Sequence, residues 1–273
     1  ASFVMPNVLS KLGAEVLSLN PYASTRQALS FSRAAHAEGV SRLVKASGAH
    51  LGAVIDPDGE RLMLVDDRGH VLSDQESLLA LLRLVLATTP KKEGRPAHVV
   101  LPLTVTGGAE AMCLEAGAKV ELSKLSTSHL MEAASRPDVD FAAGPDGGFI
   151  FPAFMPVYDA VCALVNALGL LATSGQALSQ VVAALPSGKV THLTVATPQD
   201  KKGLVMRSVM DFAKGQEVVL VDGVKVAYPD GWALVLPDAE HPVTHVWAEA
   251  RREADARARA QQYARQIGAW LDE

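Results

Sequence analysis

Strand-length apolar runs alternate with helix-length segments along most of this chain, and that alternation restricts the fold more than any other feature. Between residues 97 and 187, His98 to Leu103, Lys119 to Leu125 and Val139 to Ala142 read as strands. Segments at helical spacing lie between and after them, at 107–117, 128–135, 157–171 and 174–184. Strands joined by helices of this length imply βαβ units and a mainly parallel sheet. Residues 1–92 show a similar order. A helix ends at Gly13, a short strand covers Ala14 to Leu19, and a helix runs from Gln27 to Ala46 with Gly39 inside it. Strands follow at Leu51 to Asp56, Arg61 to Asp66 and Val71 to Leu72, and then a helix capped by Asp74. Thr88 to Pro96 reads as a polar linker. Residues 190–273 change character. A strand and a helix precede three strands at 217–227, 232–236 and 244–250, joined by short turns. A charged last helix from Arg251 to Leu271 uses Ala258, Tyr263, Ile267 and Trp270 as anchors. The fold class is therefore α/β, with tandem mixed or parallel-sheet α/β units at 1–92 and 97–187 and a small α+β C-terminal domain at 190–273.

Bulk properties exclude several functions. Apolar residues make up 49% of the 273 and charged residues 20%, so an ordinary folded core is expected and disorder is not. A net charge of −5 argues against a general nucleic-acid surface, which needs a basic stripe. No apolar run is long enough to span a membrane, because the longest, Ala160 to Ala172, is short and contains Asn166. Cys113 and Cys162 are too few and too far apart for a disulfide framework, so both are expected to be buried thiols in a reducing, cytoplasmic setting. The opening Ser2-Phe3-Val4-Met5 has no basic leader region and is expected to lie inside a longer protein.

One hexapeptide carries chemistry. Asp56-Pro57-Asp58-Gly59-Glu60-Arg61 sits between the apolar runs Leu51–Ile55 and Leu62–Val65. It puts three carboxylates, Asp56, Asp58 and Glu60, on one tight turn between strands. Oxygen-rich turns of this kind suit Mg²⁺, which is usually held by one or two carboxylates plus water or phosphate. A plain hairpin turn is the other reading, since Pro-Asp-Gly is a strong turn signal on its own. An EF-hand is excluded, because Gly59 is the fourth residue of the turn and not the sixth. Other candidates are weaker. Gly107-Gly108 opens either a turn or a phosphate-binding helix terminus. His241 and His245 lack the third ligand that zinc needs.

The stretch from His50 to Arg61 resembles the metal-binding loop of the α-D-phosphohexomutases, in which Asp-Gly-Asp-Gly-Asp-Arg holds Mg²⁺. The resemblance extends through Gly144 to Phe151, where that family has its sugar loop, and through Asp222 to Val226, Asp230 to Val235 and His245 to Ala250 in the last domain. Lys202 to Arg207 and Gly147 to Pro152 are similar to mutase-like modules fused behind sugar-1-phosphate nucleotidyltransferases such as mannose-1-phosphate guanylyltransferase. The resemblance implies Mg²⁺ at Asp56, Asp58 and Glu60, a sugar phosphate partner near Arg61, Lys124 and Asp146, and an upstream nucleotidyltransferase domain in the full-length protein. A merely exposed strand lysine is the other reading of Lys124.

This chain departs from the family pattern at the reacting groups. It contains no Thr-Ala-Ser-His-Asn-Pro type loop for a phosphoserine. The sugar-loop Glu and Ser become Pro145 and Gly147, and its His becomes Phe149. The phosphate loop Arg-Pro-Ser-Gly-Thr-Glu-Pro becomes Leu236-Pro237-Asp238-Ala239-Glu240-His241-Pro242, which exchanges phosphate donors for carboxylates. The expectation is a mutase-like module without independent mutase chemistry. Its alternatives are an active mutase whose serine domain lies outside this chain, and a structural module with no ligand.

Overall fold

A computed structural model describes residues 4–20, 31–88 and 95–272. The chain folds into two compact units that interleave in sequence. The first comprises Ala1–Leu101, Cys113–Glu121 and Thr127–Leu185, and the second Pro102–Met112, Leu122–Ser126 and Pro186–Glu273.

The first unit opens with α1 (Met5–Lys11), which stops at Gly13 with φ +87°, and α2 (Arg33–Ser47). Ser32 caps α2 at its N-terminus, and left-handed Gly48 ends it. Strands β1 (Gly52–Ile55) and β2 (Leu62–Val65) form an antiparallel hairpin, with Ile55 opposite Leu62. Helix α3 (Asp74–Thr88) buries eight residues and packs on α6 (Ala160–Ser174) and α7 (Leu178–Ala183). Four strands make a second sheet in the order β4 (Lys119–Ser123), β3 (His98–Pro102), β5 (Phe141–Ala143), β6 (Phe149–Ile150). Helices α4 (Gly107–Glu115) and α5 (Thr127–Ala134) separate these strands in sequence. Strands β3 and β5 run parallel, as a helical crossover requires, whereas β6 returns antiparallel through the short loop 144–148.

The second unit carries five strands in the order β7 (Lys189–Ala196), β11 (Val243–Ala250), β10 (Gly231–Pro237), β9 (Val224–Tyr228), β8 (Val218–Val219), all antiparallel. Helices α8 (Lys202–Phe212) and α9 (Glu253–Asp272) cover one face, where Val205, Val209, Val226, Val235, Val246, Tyr263 and Ile267 form the core.

Several expectations from sequence require correction. Residues 14–18 form no strand; Leu17 and Leu19 are exposed, and no strand partner exists for them among the described residues. Residues 27–30 and most of the linker at 88–96 lie outside the described residues. Val71 makes only an isolated bridge to Val65. The helix expected to be capped by Asp74 is capped by Ser73 instead. Glu76 N–H donates to Ser73 Oγ at 3.2 Å, while Glu76 Oε2 accepts from Ser73 N–H at 2.8 Å, a reciprocal capping box. The single strand expected at 217–227 is two, folded at Gly223, which takes φ +69°. On α9, Ala258 points outward and Ala256 and Ala260 are buried, because the helix packs its 256–260–263–267 stripe. Trp270 is half-buried and meets Phe212 at 6.0 Å. Cys113 is buried, but Cys162 is partly exposed, with its thiol pKa pushed up by burial.

Candidate functional site

The acidic turn lies in the first unit. Its local geometry follows from its residues: Pro57 fixes one dihedral, Gly59 takes φ +79°, and Asp56 N–H donates to the Arg61 carbonyl at 3.1 Å. Asp56 is buried, and its Oδ1 accepts from the backbone N–H groups of Glu60 (2.8 Å) and Arg61 (3.1 Å). That carboxylate therefore closes the turn from inside. Asp58 is exposed at the tip. The Gly59 carbonyl accepts from Ala160 N–H at 2.9 Å, which pins the tip to the start of α6.

Arg61 sits among the carboxylates. Its Nε donates to Asp146 Oδ2 at 2.7 Å. Its Nη1 stands 3.4 Å from Glu60 Oε2 and 3.8 Å from Asp56 Oδ2. The hydrogen bond to Asp146 raises the guanidinium pKa above its already high ordinary value. Its charge also lies 5.9 Å from the centre of the Tyr158 ring. Burial pushes the Tyr158 phenol well above its ordinary range, so it stays protonated. Backbone pairing fixes the other side of the contact. Arg61 bridges to Gly148, Leu62 N–H donates to the Gly147 carbonyl at 2.9 Å, and Arg33 Nη1 donates to the Asp146 carbonyl at 2.8 Å. Arg33 also reaches Asp74 Oδ1 at 3.4 Å, and burial raises the Asp74 pKa despite that partner.

Four of the six residues singled out from sequence thus meet: Asp56, Glu60, Arg61 and Asp146. Asp58 faces solvent, and Lys124 is exposed in the second unit, one residue beyond β4. The Arg33–Asp74 pair and Tyr158 were not foreseen. Asp74 was legible only as a cap, and nothing near Arg33 in sequence points to a partner 113 residues away.

As placed, this set does not make a Mg²⁺ cage. Among the described residues no group of three His, Cys, Asp or Glu side chains stands together to hold a metal ion. One Asp56 oxygen is committed to two N–H donors, and the cation between the carboxylates is Arg61 itself. A direct consequence can be measured. Arg61→Met keeps the apolar stem and removes the charge, leaving three carboxylates uncompensated. The variant is expected to be stabilised by millimolar Mg²⁺, by about 1.4 kcal/mol at a free concentration about ten times Kd. The calorimetric midpoint of the wild type is expected to stay put. Equal Mg²⁺ stabilisation of both proteins would show that the guanidinium does not stand in for a metal.

Two further charged clusters lie in the second unit. Gly107, at the start of α4, donates its N–H to both oxygens of Glu249 at 2.9 and 3.2 Å. The helix terminus read as a turn or a phosphate site is therefore served by a buried side-chain carboxylate. Lys225 is buried beside it, 4.5 Å from the centre of the Trp232 ring and 3.8 Å from Glu110. The second cluster gathers Asp238, His241, His245 and His192 around the turn between β10 and β11.

The chain and its fold have recognisable relatives. Residues 74–188 match the phosphoglucomutase/phosphomannomutase alpha/beta/alpha domain III family, a span that begins at α3. A probable phosphoglucosamine mutase of Methanopyrus kandleri is 29% identical over 261 residues, covering 94% of this chain and 57% of that protein. A phosphoglucomutase/phosphomannomutase of Thermococcus kodakarensis is 25% identical over 94% of this chain and 56% of its own length. This chain thus spans a little over half the length of these curated relatives. A phosphoglucomutase/phosphomannomutase family protein from Burkholderia thailandensis shares the fold, with a TM-score of 0.76 at 22% identity over 96% of this chain and 56% of that one. Aspergillus fumigatus N-acetylphosphoglucosamine mutase, solved with GlcNAc-6P and magnesium, aligns with a TM-score of 0.56 at 14% identity over 79% of this chain and 51% of its own. The domain III match thus covers residues 74–188, the similarity to proteins named as mutases extends over 94% of this chain, and the structural match shows a shared fold.

Proposed function

We propose that this chain is a phosphohexomutase-like module of a cytoplasmic sugar-phosphate or sugar-nucleotide enzyme and does not turn over hexose phosphates by itself. The observation that carries the reading is the Arg61 guanidinium set among Asp56, Glu60 and Asp146. Phosphoryl transfer needs cations and donors free to meet phosphate oxygens. Here the acidic turn already holds a cation of its own, and Asp146, the remaining acceptor of the sugar loop, is held by that same Arg61. A sugar phosphate partner, bound weakly, remains part of this proposal. So does the upstream nucleotidyltransferase domain of the mannose-1-phosphate guanylyltransferase kind, which rests on the wording of Lys202 to Arg207 and Gly147 to Pro152. The test is a coupled assay of the purified chain with glucose, mannose and glucosamine phosphates, a sugar bisphosphate activator and Mg²⁺. The reading expects no turnover above background. Rates of roughly 1–10³ s⁻¹, ordinary for enzymes, would overturn it.

One observation favours a second reading. The relatives are named as mutases, and this chain covers just 57% of the first of them. An active mutase assembled from this segment and a serine-bearing domain elsewhere in the same protein accommodates that. The coding sequence on the N-terminal side separates the two: a Ser-His-Asn-Pro type loop supports the mutase, and a nucleotidyltransferase sequence supports the module.

A further inference from the structure

The sheet of the second unit ends on one side at β7, eight residues long, with β11 as its strand neighbour. The outer edge of β7 has no strand partner among the described residues. Edge strands are ordinarily blunted by shortness, charge, proline or bulges. The other ends of the two larger sheets follow that rule. Strands β8 and β6 are two residues each, and β4 carries Lys119 and Glu121. In β7 the run Val190-Thr191-His192-Leu193-Thr194-Val195-Ala196 contains no Lys, Arg, Asp, Glu, Pro or Gly. It is a long, uncharged edge with its backbone groups open to pairing.

The strand is firmly seated. Leu193 and Val195 pack on the helix-covered core, and Val190, on the opposite face, packs beside Trp232 and Leu234. His192 stacks on Trp247 at 4.5 Å, and its Nε2 is 3.0 Å from His245 Nδ1, which ties β7 to β11. His192 and Thr194 are exposed on that opposite face.

The helix above the edge is shaped for a neighbour. Helix α9 lies over β7 and β11 and α8 over β9 and β10, so the α9 flank away from α8 borders the open edge. Phe212 of α8 meets Tyr263 and Trp270, which marks the inner flank. Ala264 and Gly268 lie about 100° and about 140° round the helix from Tyr263, beyond the buried Ala256, Ala260 and Ile267. A Cβ at Gly268 would meet no atom within 4 Å. Small residues on this flank leave room for a second helix at the usual spacing of about 8–10 Å.

We propose that a second copy of this chain adds to β7 in antiparallel register about a twofold axis through Leu193, joining two five-stranded sheets into one. The sequence of β7 is what selects a copy of itself as the partner. That axis sets Leu193 opposite Leu193, Thr191 opposite Val195, His192 opposite Thr194 and Val190 opposite Ala196. Each pair shares one face of the sheet, as the pleat requires, and no two charges meet. A twofold through His192 would set imidazole against imidazole and Lys189 against Val195. The same operation brings the two α9 helices together antiparallel along their small-residue flanks. The inference stands on the second unit alone and does not rest on whether the chain turns over sugar phosphates.

The test is sedimentation equilibrium of the full chain at concentrations up to a millimolar, with circular dichroism as the check on folding. The wild type is expected to pass from monomer to dimer over this range. His192→Lys with Thr194→Lys sets two pairs of like charges opposite each other and is expected to weaken the dimer at least about tenfold. His192→Glu with Thr194→Lys also loses the His192 contacts but sets opposite charges together, and is expected to recover dimerisation. A wild type that stays monomeric throughout overturns the proposal. So does equal association of the two double variants, which would place any dimer contact elsewhere.

Discussion

Glu249→Ala is expected to remove about 3–5 kcal/mol of stability, the range for stripping one partner from a buried charged network. Glu249 is only 5% exposed and Lys225 only 6%, so neither charge has water to fall back on. With the carboxylate gone, the Gly107 N–H loses its acceptor, and among the described residues Lys225 keeps Glu110 at 3.8 Å and the Trp232 ring. Urea unfolding monitored by Trp fluorescence measures the loss. Burial raises the Glu249 pKa above its ordinary 4.5 and lowers that of Lys225 below its ordinary 10.5. The signs differ. For Glu249 the folded state keeps its proton longer, so that stability is complete below pH 4.5 and is lost as pH rises through the folded pKa. For Lys225 the folded state sheds its proton earlier, so stability grows as pH climbs from the folded pKa toward 10.5. Glu249→Gln, which keeps an acceptor for Gly107, is expected to flatten the acid limb and cost less than the alanine. Adding Lys225→Met to Glu249→Ala is expected to recover part of the loss. Additive effects in that double-mutant cycle would mean the two groups do not interact.

A second large effect is expected at Gly147. This glycine takes φ +86°, a left-handed conformation that costs another residue about 1–2 kcal/mol. A Cβ there would also lie 2.6 Å from Arg33 Nη1, 2.8 Å from the Leu62 carbonyl and 3.1 Å from Asp74 Oδ1. The arginine can swing aside, but the Leu62 carbonyl is backbone of β2. Gly147→Ala therefore threatens the Leu62–Gly147 and Arg33–Asp146 hydrogen bonds, each worth about 0.5–1.5 kcal/mol. The total expected loss is roughly 2–5 kcal/mol. Gly175→Ala is the control, since φ is +65° there but no atom lies within 4 Å of the added carbon. Its loss is expected to stay near the strain alone, about 1–2 kcal/mol. Equal losses at the two positions would mean that the crowding around Gly147 is harmless.

How far the sequence carried the structure depends on the distance between partners. The hairpin at Asp56–Arg61 was legible because its turn residues are contiguous, and so were the ends of α1 and α4, where glycine must follow a helix. On α9 the anchors Tyr263 and Ile267 were legible and only Ala258 was misplaced, by two residues, because alanines fall on both faces of the helix. The split of 217–227 was missed because Val218 to Val226 is apolar except for its Asp222-Gly223 turn and Lys225. The charge that surrounds Arg61 was half visible: Asp56 and Glu60 are neighbours, but Asp146 is 85 residues away. The Glu249–Gly107 contact spans 142 residues and left no local trace. Histidines 192 and 245, 53 residues apart, looked unrelated until β7 and β11 paired. No one-dimensional pattern announces such meetings, because each is set by which strands become neighbours.

The interleaving of the two units bears on how the chain can be handled. Residues 102–112 and 122–126 belong with the C-terminal sheet, although they precede it by more than sixty positions. During synthesis the first of these stretches must wait for Glu249 to leave the ribosome before Gly107 finds its acceptor. A gene fragment starting at residue 190 would express the five strands without the pieces that carry Gly107, Glu110 and Leu103, and would expose Lys225 and Trp232 to solvent. Shortening this protein calls for cuts that follow its tertiary seams, since no single cleavage of the chain separates one unit from the other.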